Sequence, residues 1–416
     1  MAKIAIIGAG FVGLSSAYWL RRDGHQVTLF DPRGAAGGAS FGNAGTFATY
    51  ACIPVNNPGV FQNLHHYLFS SSSPFRLNLR YLPRVSPWLL RFLISSTTRR
   101  YEQSAEALSE LLAQAYAGYG DLIQDARLEP FLNRKSALYL YSSKRGYEGA
   151  QASLDLRRQL GVEAEELTPR EIQELEPELA PIFYRGVLFP GTWHLNSPAG
   201  FLKALEAWLV EQGLTLKHDS VERLVPKGEE VLLLTTQEEQ SFDHVVVAAG
   251  AFSGKFAKQC GDRIPLDTER GYHITFPGAE RLLSRPAGWA ESGFYMTPMT
   301  GGLRTAGTVE LAGLGERHNR ALLTLLRRSA ARALPKLPEP RDEWLGFRPT
   351  LPDGLPVIGT SSDSPRVLYA FGHQHIGLTL GGLSGRLVAD LVADRPLPLD
   401  LSACSPRRFS GAKAGR

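Results

Sequence analysis

The clearest hydrophobic pattern lies at the amino terminus. An unbroken apolar run, Ile4 to Ile7, is followed by a helical stretch from Leu14 to Arg22 and a second strand-like run from Gln26 to Phe30. Short runs separated by a helix, with Gly24 as its stop, predict the strands and crossover of a parallel βαβ unit. The pattern then breaks. Residues 53 to 100 read as irregular, with Pro54, Pro58, Pro74, Pro83 and Pro87, a serine run at Ser70 to Ser73 and an aromatic-rich piece around Trp88 and Phe92. Helix periodicity returns over Glu102 to Ala126, with Leu108, Leu111, Leu112 and Tyr116 on one face. Ala137 to Tyr141 reads as a strand and Gly149 to Leu160 as a helix. Thr168 to Leu175 is a further helix, opened by a Thr-x-x-Glu capping box of Thr168 and Glu171.

A second α/β stretch follows. Ser197-Pro198 starts a helix through Val210, and Gly213 to His218 and Val231 to Thr235 are strands. Phe242 to Ala249 is almost continuously apolar and ends in Gly250, which suits the middle of a parallel sheet. Between 264 and 340 the runs His273 to Phe276, Gly293 to Thr297 and Arg304 to Val309 are strand-like, with one helix, Asn319 to Leu334. Arg366 to Ala370 is a strand, and Gly372 leads into a helix ending near Ala393. The expected fold class is α/β: a discontinuous Rossmann-like cofactor domain (1–60, 195–255 and 345–416) with an inserted strand-rich α+β substrate domain (61–194 and 256–344).

The turn between the first strand and helix reads Gly8-Ala-Gly10-Phe11-Val12-Gly13, and Asp31 follows at the end of the second strand, ahead of Pro32 and Arg33. Gly8 permits the tight turn, Gly10 lets backbone approach a pyrophosphate, and Gly13 allows close helix–strand packing. The helix start favours the anion, and Asp31 can accept from ribose hydroxyls. Residues 1 to 31 alone fit NAD as well as FAD.

At 416 residues the chain is long for one core. Its 43% apolar and 21% charged content is that of an ordinary globular protein. A net charge of +4 without a basic block argues against nucleic acid as a partner. Cys52, Cys260 and Cys404 are odd in number and far apart, which argues against a disulfide framework and for a reducing compartment. The first strand begins close to Met1 and no apolar run reaches the ~20 residues needed to span a bilayer. A cytoplasmic location is expected. No histidine has cysteine or carboxylate partners at metal-ligand spacing.

Four later segments resemble, in order and spacing, those of the flavin-dependent D-amino-acid oxidase and dehydrogenase superfamily, and most closely its bacterial D-amino-acid dehydrogenases. They are Ala39-Ser40-Phe-Gly-Asn43-Ala44-Gly45; Glu291-Ser-Gly-Phe-Tyr295-Met-Thr-Pro; Gly346-Phe-Arg348-Pro349 with Asp353 to Gly359 after it; and Gly372-His373-Gln-His375-Ile376-Gly377-Leu378-Thr379. The resemblance covers essentially the whole chain and implies non-covalent FAD. The first segment then contacts the flavin, and backbone N–H groups around Gly372 to Thr379 face its pyrimidine end. Val221, Ala249 and Gly250 join the cofactor set. Arg348 becomes the substrate-carboxylate arginine, whose planar fork matches that group, and Tyr295 the active-site tyrosine.

Hydride transfer to a flavin demands orientation more than an acid–base pair, so no dedicated base is assigned. His194, Tyr272, His273, His373 and His375 are candidates for lining the pocket, Tyr272 and His373 ahead of the others. The expected substrates are neutral D-amino or imino acids, including D-proline and its hydroxylated forms. The expected acceptor is a quinone or another non-oxygen oxidant; an oxygen-using oxidase of the glycine or sarcosine kind is the alternative. Residues 81 to 95 set Leu82, Trp88, Leu89, Leu90, Phe92 and Leu93 beside Arg80, Arg84 and Arg91. That pattern suits either core packing or peripheral docking on a membrane that carries the quinone.

Overall fold

The computed structural model describes residues 1–59 and 73–410; the serines at 70 to 72 lie outside the described residues. One sheet has six strands in the order Thr215–Lys217, Gln26–Phe30, Lys3–Ile7, His244–Val247, Val367–Phe371, Val357–Thr360. The first five run parallel, and the last pairs antiparallel at the edge. Strands buried on both faces need continuous apolar runs, and Ala5, Ile6, Val246 and Leu368 are all enclosed.

Helices Phe11–Arg22 and Gly377–Val392 pack on this sheet with almost no space between them. A Cβ at Gly385 would lie 2.4 Å from the Ser15 carbonyl carbon, and one at Gly381 would lie 3.0 Å from Phe11 Cβ. The same closeness breaks the long helix expected over Glu102 to Ala126. The chain forms Thr98–Ala113, a 3-10 turn at Tyr116–Gly118 and a short helix, Gly120–Asp125. At the break Gly118 presses into the carboxy-terminal helix, where a Cβ would meet Leu383 N at 2.0 Å, and Tyr119 OH donates to Leu378 O.

The larger sheet runs Asp342–Thr350, Asp267–Pro277, Gly302–Leu311, Phe294–Met299, Ala287–Trp289, Ala137–Tyr141, Arg185–Phe189, Glu165–Leu167, with Phe75–Leu77 also paired to Gly302–Leu311. The boundary expected at residue 345 falls inside the Asp342–Thr350 strand, so the Gly346 to Pro349 segment belongs to this sheet. Its two faces differ sharply. Tyr272, Ile274 and Phe276 join the core with Leu322, Leu323 and Leu326 of helix Arg320–Ala333. By the two-residue alternation of a strand, Glu269, Gly271 and His273 face the other way.

The described residues from 74 to 100 are more regular than their prolines suggest. Leu82–Ser95 is a helix with Pro83 in its first turn, where no N–H is needed, and Pro87 within it. Burial compensates for the bond lost at Pro87: Val85 and Trp88 are enclosed, Trp88 Nε1 donates to Thr350 O, and its ring stacks on Phe92 at 5.2 Å. Leu82, Leu90 and Ile94 stay exposed. Among the described residues, no helix is long and apolar enough to cross a membrane.

Candidate functional site

The glycine turn is set by backbone crowding. Gly8 has φ 111, and a Cβ there would lie 2.5 Å from Ala248 O; one at Gly13 would lie 1.8 Å from Gly8 O. Ala248 to Gly250 therefore cross directly over the turn. Helix Phe11–Arg22 begins at Gly10 with no side-chain cap and no acidic residue in its first turn, and Phe11 N reaches Ser40 Oγ at 3.4 Å. Asp31 Oδ2 accepts from Ala9 N and Oδ1 from Arg33 N, both at 2.9 Å. The carboxylate thus pins both the glycine turn and the Pro32–Arg33 turn, with lone pairs left over. Val221 is buried in one cluster with Phe30, at the start of a three-stranded meander.

The second wall is the Ser40 to Ala48 loop. Asn43 Oδ1 accepts from Gly45 N at 2.7 Å, and Gly45 O accepts from Leu195 N at 2.8 Å. Arg304 Nη1 donates to Phe41 O and Asn43 O at 2.9 Å each, His273 Nδ1 lies 3.4 Å from Gly42 O, and Ala48 N donates to Thr379 Oγ1 at 3.0 Å. The loop, Ala44 included, is therefore stapled to the large sheet on one side and to helix Gly377–Val392 on the other. That helix starts after Ile376, again with neither side-chain cap nor acid. Gly372, φ 83, makes the turn into it. Two uncapped helix starts, each with positive dipole character, adjoin the same Ser40 to Ala48 loop, and Gly10 adds no side chain between the first of them and Ser40. Such residues fit a dinucleotide whose ring gains negative charge on reduction, which is what FAD presents.

The third wall is the inward face of the large sheet. Arg348 lies directly opposite Glu269 in the ladder, and its guanidinium reaches across Gly271 to the next strand. There Nη1 donates to Thr308 O at 2.9 Å and Nη2 to Gly307 O at 3.5 Å. Those carbonyls are turned toward it by a β-bulge: Arg270 pairs with Glu310 but Tyr272 with Gly307, and Thr308 has φ 58, a strained value for a β-branched residue. Desolvation pushes the Arg348 pKa down and the charge of Glu269 pulls it back up. Tyr295 shares the face: it pairs with Ala306, which pairs with His273, which stacks on Trp344 at 5.0 Å. Tyr295 OH lies 3.1 Å from Tyr50 OH, and burial, then its tyrosine neighbours, hold it well above the usual phenol range.

Two sequence candidates are engaged elsewhere in the structure. Tyr272 lies on the opposite face, where its hydroxyl donates to Glu310 at 2.6 Å and accepts from Asn319 N. His373 is enclosed, with Nε2 2.8 Å from Ser384 Oγ, so it ties the Gly372 turn to the helix instead of facing the cleft. His375 follows two residues later. It is solvent-accessible yet closely surrounded by protein, and that crowding, then Arg348, push its pKa down to about 4. His194 is buried between Thr46 and Asn133, pushed down to about 4 mainly by burial, with both ring nitrogens unpaired. His273 is committed to the loop and lowered to about 3 by burial, then by Arg304. Sequence reasoning missed Glu269, Gly271, Arg304 and the Thr308 bulge. The one available signal was a charged Glu269-Arg270 pair in a strand that otherwise reads as buried.

A family model described as "DAO: FAD dependent oxidoreductase" matches residues 3–391. The chain is 35% identical to a "D-amino-acid oxidase" of Bradyrhizobium diazoefficiens, over 98% of both chains. It is 28% identical to a "D-amino acid dehydrogenase" of Paramagnetospirillum magneticum, over 98% of this chain and 99% of that one. Its fold matches a crystal structure of glycine oxidase from Geobacillus kaustophilus with TM-score 0.78, at 23% identity, over 98% and 99% of the two chains.

Proposed function

The chain belongs to the DAO family of FAD-dependent oxidoreductases, and from that premise we propose that it oxidatively deaminates D-amino acids, neutral or cyclic, such as D-proline or hydroxy-D-proline. The observation that carries this reading is the Arg348 guanidinium. It has five N–H donors, and two are spent on the Thr308 and Gly307 carbonyls. The remaining three stay available on the sheet face that Tyr295 shares, enough to grip a carboxylate bidentately while the two carbonyls stop the fork from swinging.

FAD, when bound, supplies the two-electron acceptor for the hydride on the substrate Cα. Gly10 would leave room for its pyrophosphate on a turn that Gly8 and Gly13 allow to close tightly, Asp31 would accept from its ribose, and the Ser40 to Gly45 and Gly372 to Thr379 segments would hold the ring. The residues of this chain then orient the substrate: Arg348 and Tyr295 fix the carboxylate, and neutral His375 closes the cleft without adding a second cation. In this reading the six-stranded sheet is the cofactor domain and the large sheet is the substrate domain.

The proposed acceptor is a quinone or another non-oxygen oxidant. It would be reached at a membrane surface through the exposed Leu82, Leu90 and Ile94 of the proline-bearing helix, with Arg84 and Arg91 beside them. The second reading, oxygen as acceptor with peroxide released, is favoured by the 35% identical relative named as an oxidase. An anaerobic flavin-bleaching screen over D- and L-amino acids, sarcosine and proline isomers tests the substrate. Reoxidation of the bleached enzyme by quinone or by oxygen tests the acceptor. Bleaching by L-isomers alone, or by none of these amines, would refute the proposal.

A further inference from the structure

Among the described residues, each buried acidic residue but Glu269 has at least one hydrogen-bond or ion-pair partner. Glu176 accepts from Ser284 N and Oγ and pairs with Arg285. Glu310 accepts from Tyr272 OH and Asn319 Nδ2, and Asp262 from Ser361 Oγ and Tyr369 OH. Asp219 accepts from Ser220 N and Thr236 Oγ1, and Asp390 pairs with Arg395. Glu269 is 9% exposed, and among the described residues its carboxylate has no hydrogen bond and no ion pair. A buried acid without a donor is costly, and folded proteins keep one mainly where something else completes it.

Its position says what that is. Glu269 and Arg348 are directly opposed in an antiparallel ladder, so their side chains leave the sheet on the same face from neighbouring points. They do not pair, because the guanidinium is drawn away across Gly271 to the Thr308 and Gly307 carbonyls. The ladder partner of Glu269 on its other side, Leu311, offers no donor. The face therefore presents a cation and an acceptor side by side, held apart by the bulge.

We propose that Glu269 receives the amino nitrogen of the substrate, so that the site reads a zwitterion by two opposed charges. The inference rests on the reading above, in which Arg348 takes the carboxylate. It names the substrate class more narrowly: 2-amino acids, primary or cyclic secondary, with at least one N–H to donate. Propanoate, 2-hydroxy acids and 2-oxo acids bring a carboxylate to Arg348 but leave Glu269 unpaired beside a second negative charge. For primary amino acids the same contrast clears the site after turnover, since hydrolysis of the imine releases the nitrogen as ammonia and leaves a 2-oxo acid.

The test compares FAD-loaded wild type, Glu269→Gln and Glu269→Asp, using D-alanine as substrate and propanoate and pyruvate as inert ligands followed by their perturbation of the flavin spectrum. Glu269→Gln should raise the KM for D-alanine roughly 10- to 100-fold with kcat changed far less, and should tighten propanoate and pyruvate binding. Glu269→Asp should keep most of the preference for the amino acid over propanoate. If Glu269→Gln does not fold, the Asp variant and an uncharged Glu269→Met variant are read by the same ratio. An unchanged ratio of D-alanine to propanoate affinity in the uncharged variants overturns the inference. A wild-type enzyme that oxidises no amino acid sinks the function itself, a separate outcome.

Discussion

Replacing Gly271 by alanine adds a single methyl where the Arg348 fork now lies. The new Cβ would stand 2.4 Å from Arg348 Cζ and Nη2 and 2.8 Å from Nε. The strand is clamped by ladders on both sides, and Gly271 has no positive φ that alanine would strain, so the flexible guanidinium is what must move. Moving it breaks the bonds to Thr308 O and Gly307 O and takes the fork away from the carboxylate position. Hydrogen bonds to charged groups contribute ~1.5–3 kcal/mol. At about 1.4 kcal/mol per decade, kcat/KM should therefore fall roughly 10- to 150-fold, mostly through KM. Stability should not fall in step, because alanine in a strand interior gains roughly 0.5–1 kcal/mol over glycine from the unfolded-chain entropy it removes. Steady-state kinetics on D-amino acids, flavin content and thermal melting measure the three quantities. A folded, FAD-loaded Gly271→Ala enzyme with kcat/KM within threefold of wild type would refute the placement of Arg348 as the carboxylate fork.

Tyr272→Phe should leave kinetics close to wild type while costing about 1–3 kcal/mol of stability, since buried Glu310 loses a donor; a large kinetic loss with an unchanged melting temperature would return Tyr272 to the active site. Gly10→Val should abolish flavin retention, because even a Cβ there lies 3.0 Å from Ser40 Oγ and a larger side chain fills the approach to the helix start; a yellow protein with normal FAD content would contradict this. His194, His273 and His373 are buried, with pKa values depressed by desolvation to about 4, about 3 and about 4. The unfolded chain binds their protons below about pH 6.5 and the folded one does not, so their contribution is whole above that pH and is lost as pH falls toward about 4. Melting temperature followed from pH 7 to 4.5 should decline, with a shallower slope in His373→Asn; a flat profile would mean that these rings are not held neutral.

Much of the cofactor half was legible because its signals are local. A buried strand, three glycines, a helix and an acid fall within about thirty residues, and each is required by short-range sterics or by the helix dipole. The capping box at Thr168 and Glu171 and the Ser197 helix start are equally local, and both are present. The break of the helix expected after Glu102 was not legible. It follows from the carboxy-terminal helix pressing on Gly118, a contact between segments far apart in the chain.

The inward face of the large sheet depended still more on tertiary structure. Periodicity shows that a strand has two faces, but only register and sheet order decide which one looks at the cleft. That decision set Tyr272 and Glu269 on opposite sides of one strand. The bulge at Thr308 shifted the register by one residue and turned two carbonyls onto Arg348, and no residue type announces a β-branched side chain at positive φ. Likewise His373 and His375, two positions apart, differ because one is enclosed against Ser384 and the other is solvent-accessible. The sequence by itself determined a βαβ cradle for a dinucleotide. Only the folded sheet decided which acid stands next to Arg348 without touching it, because the two strands meet through a ladder that no local interaction encodes.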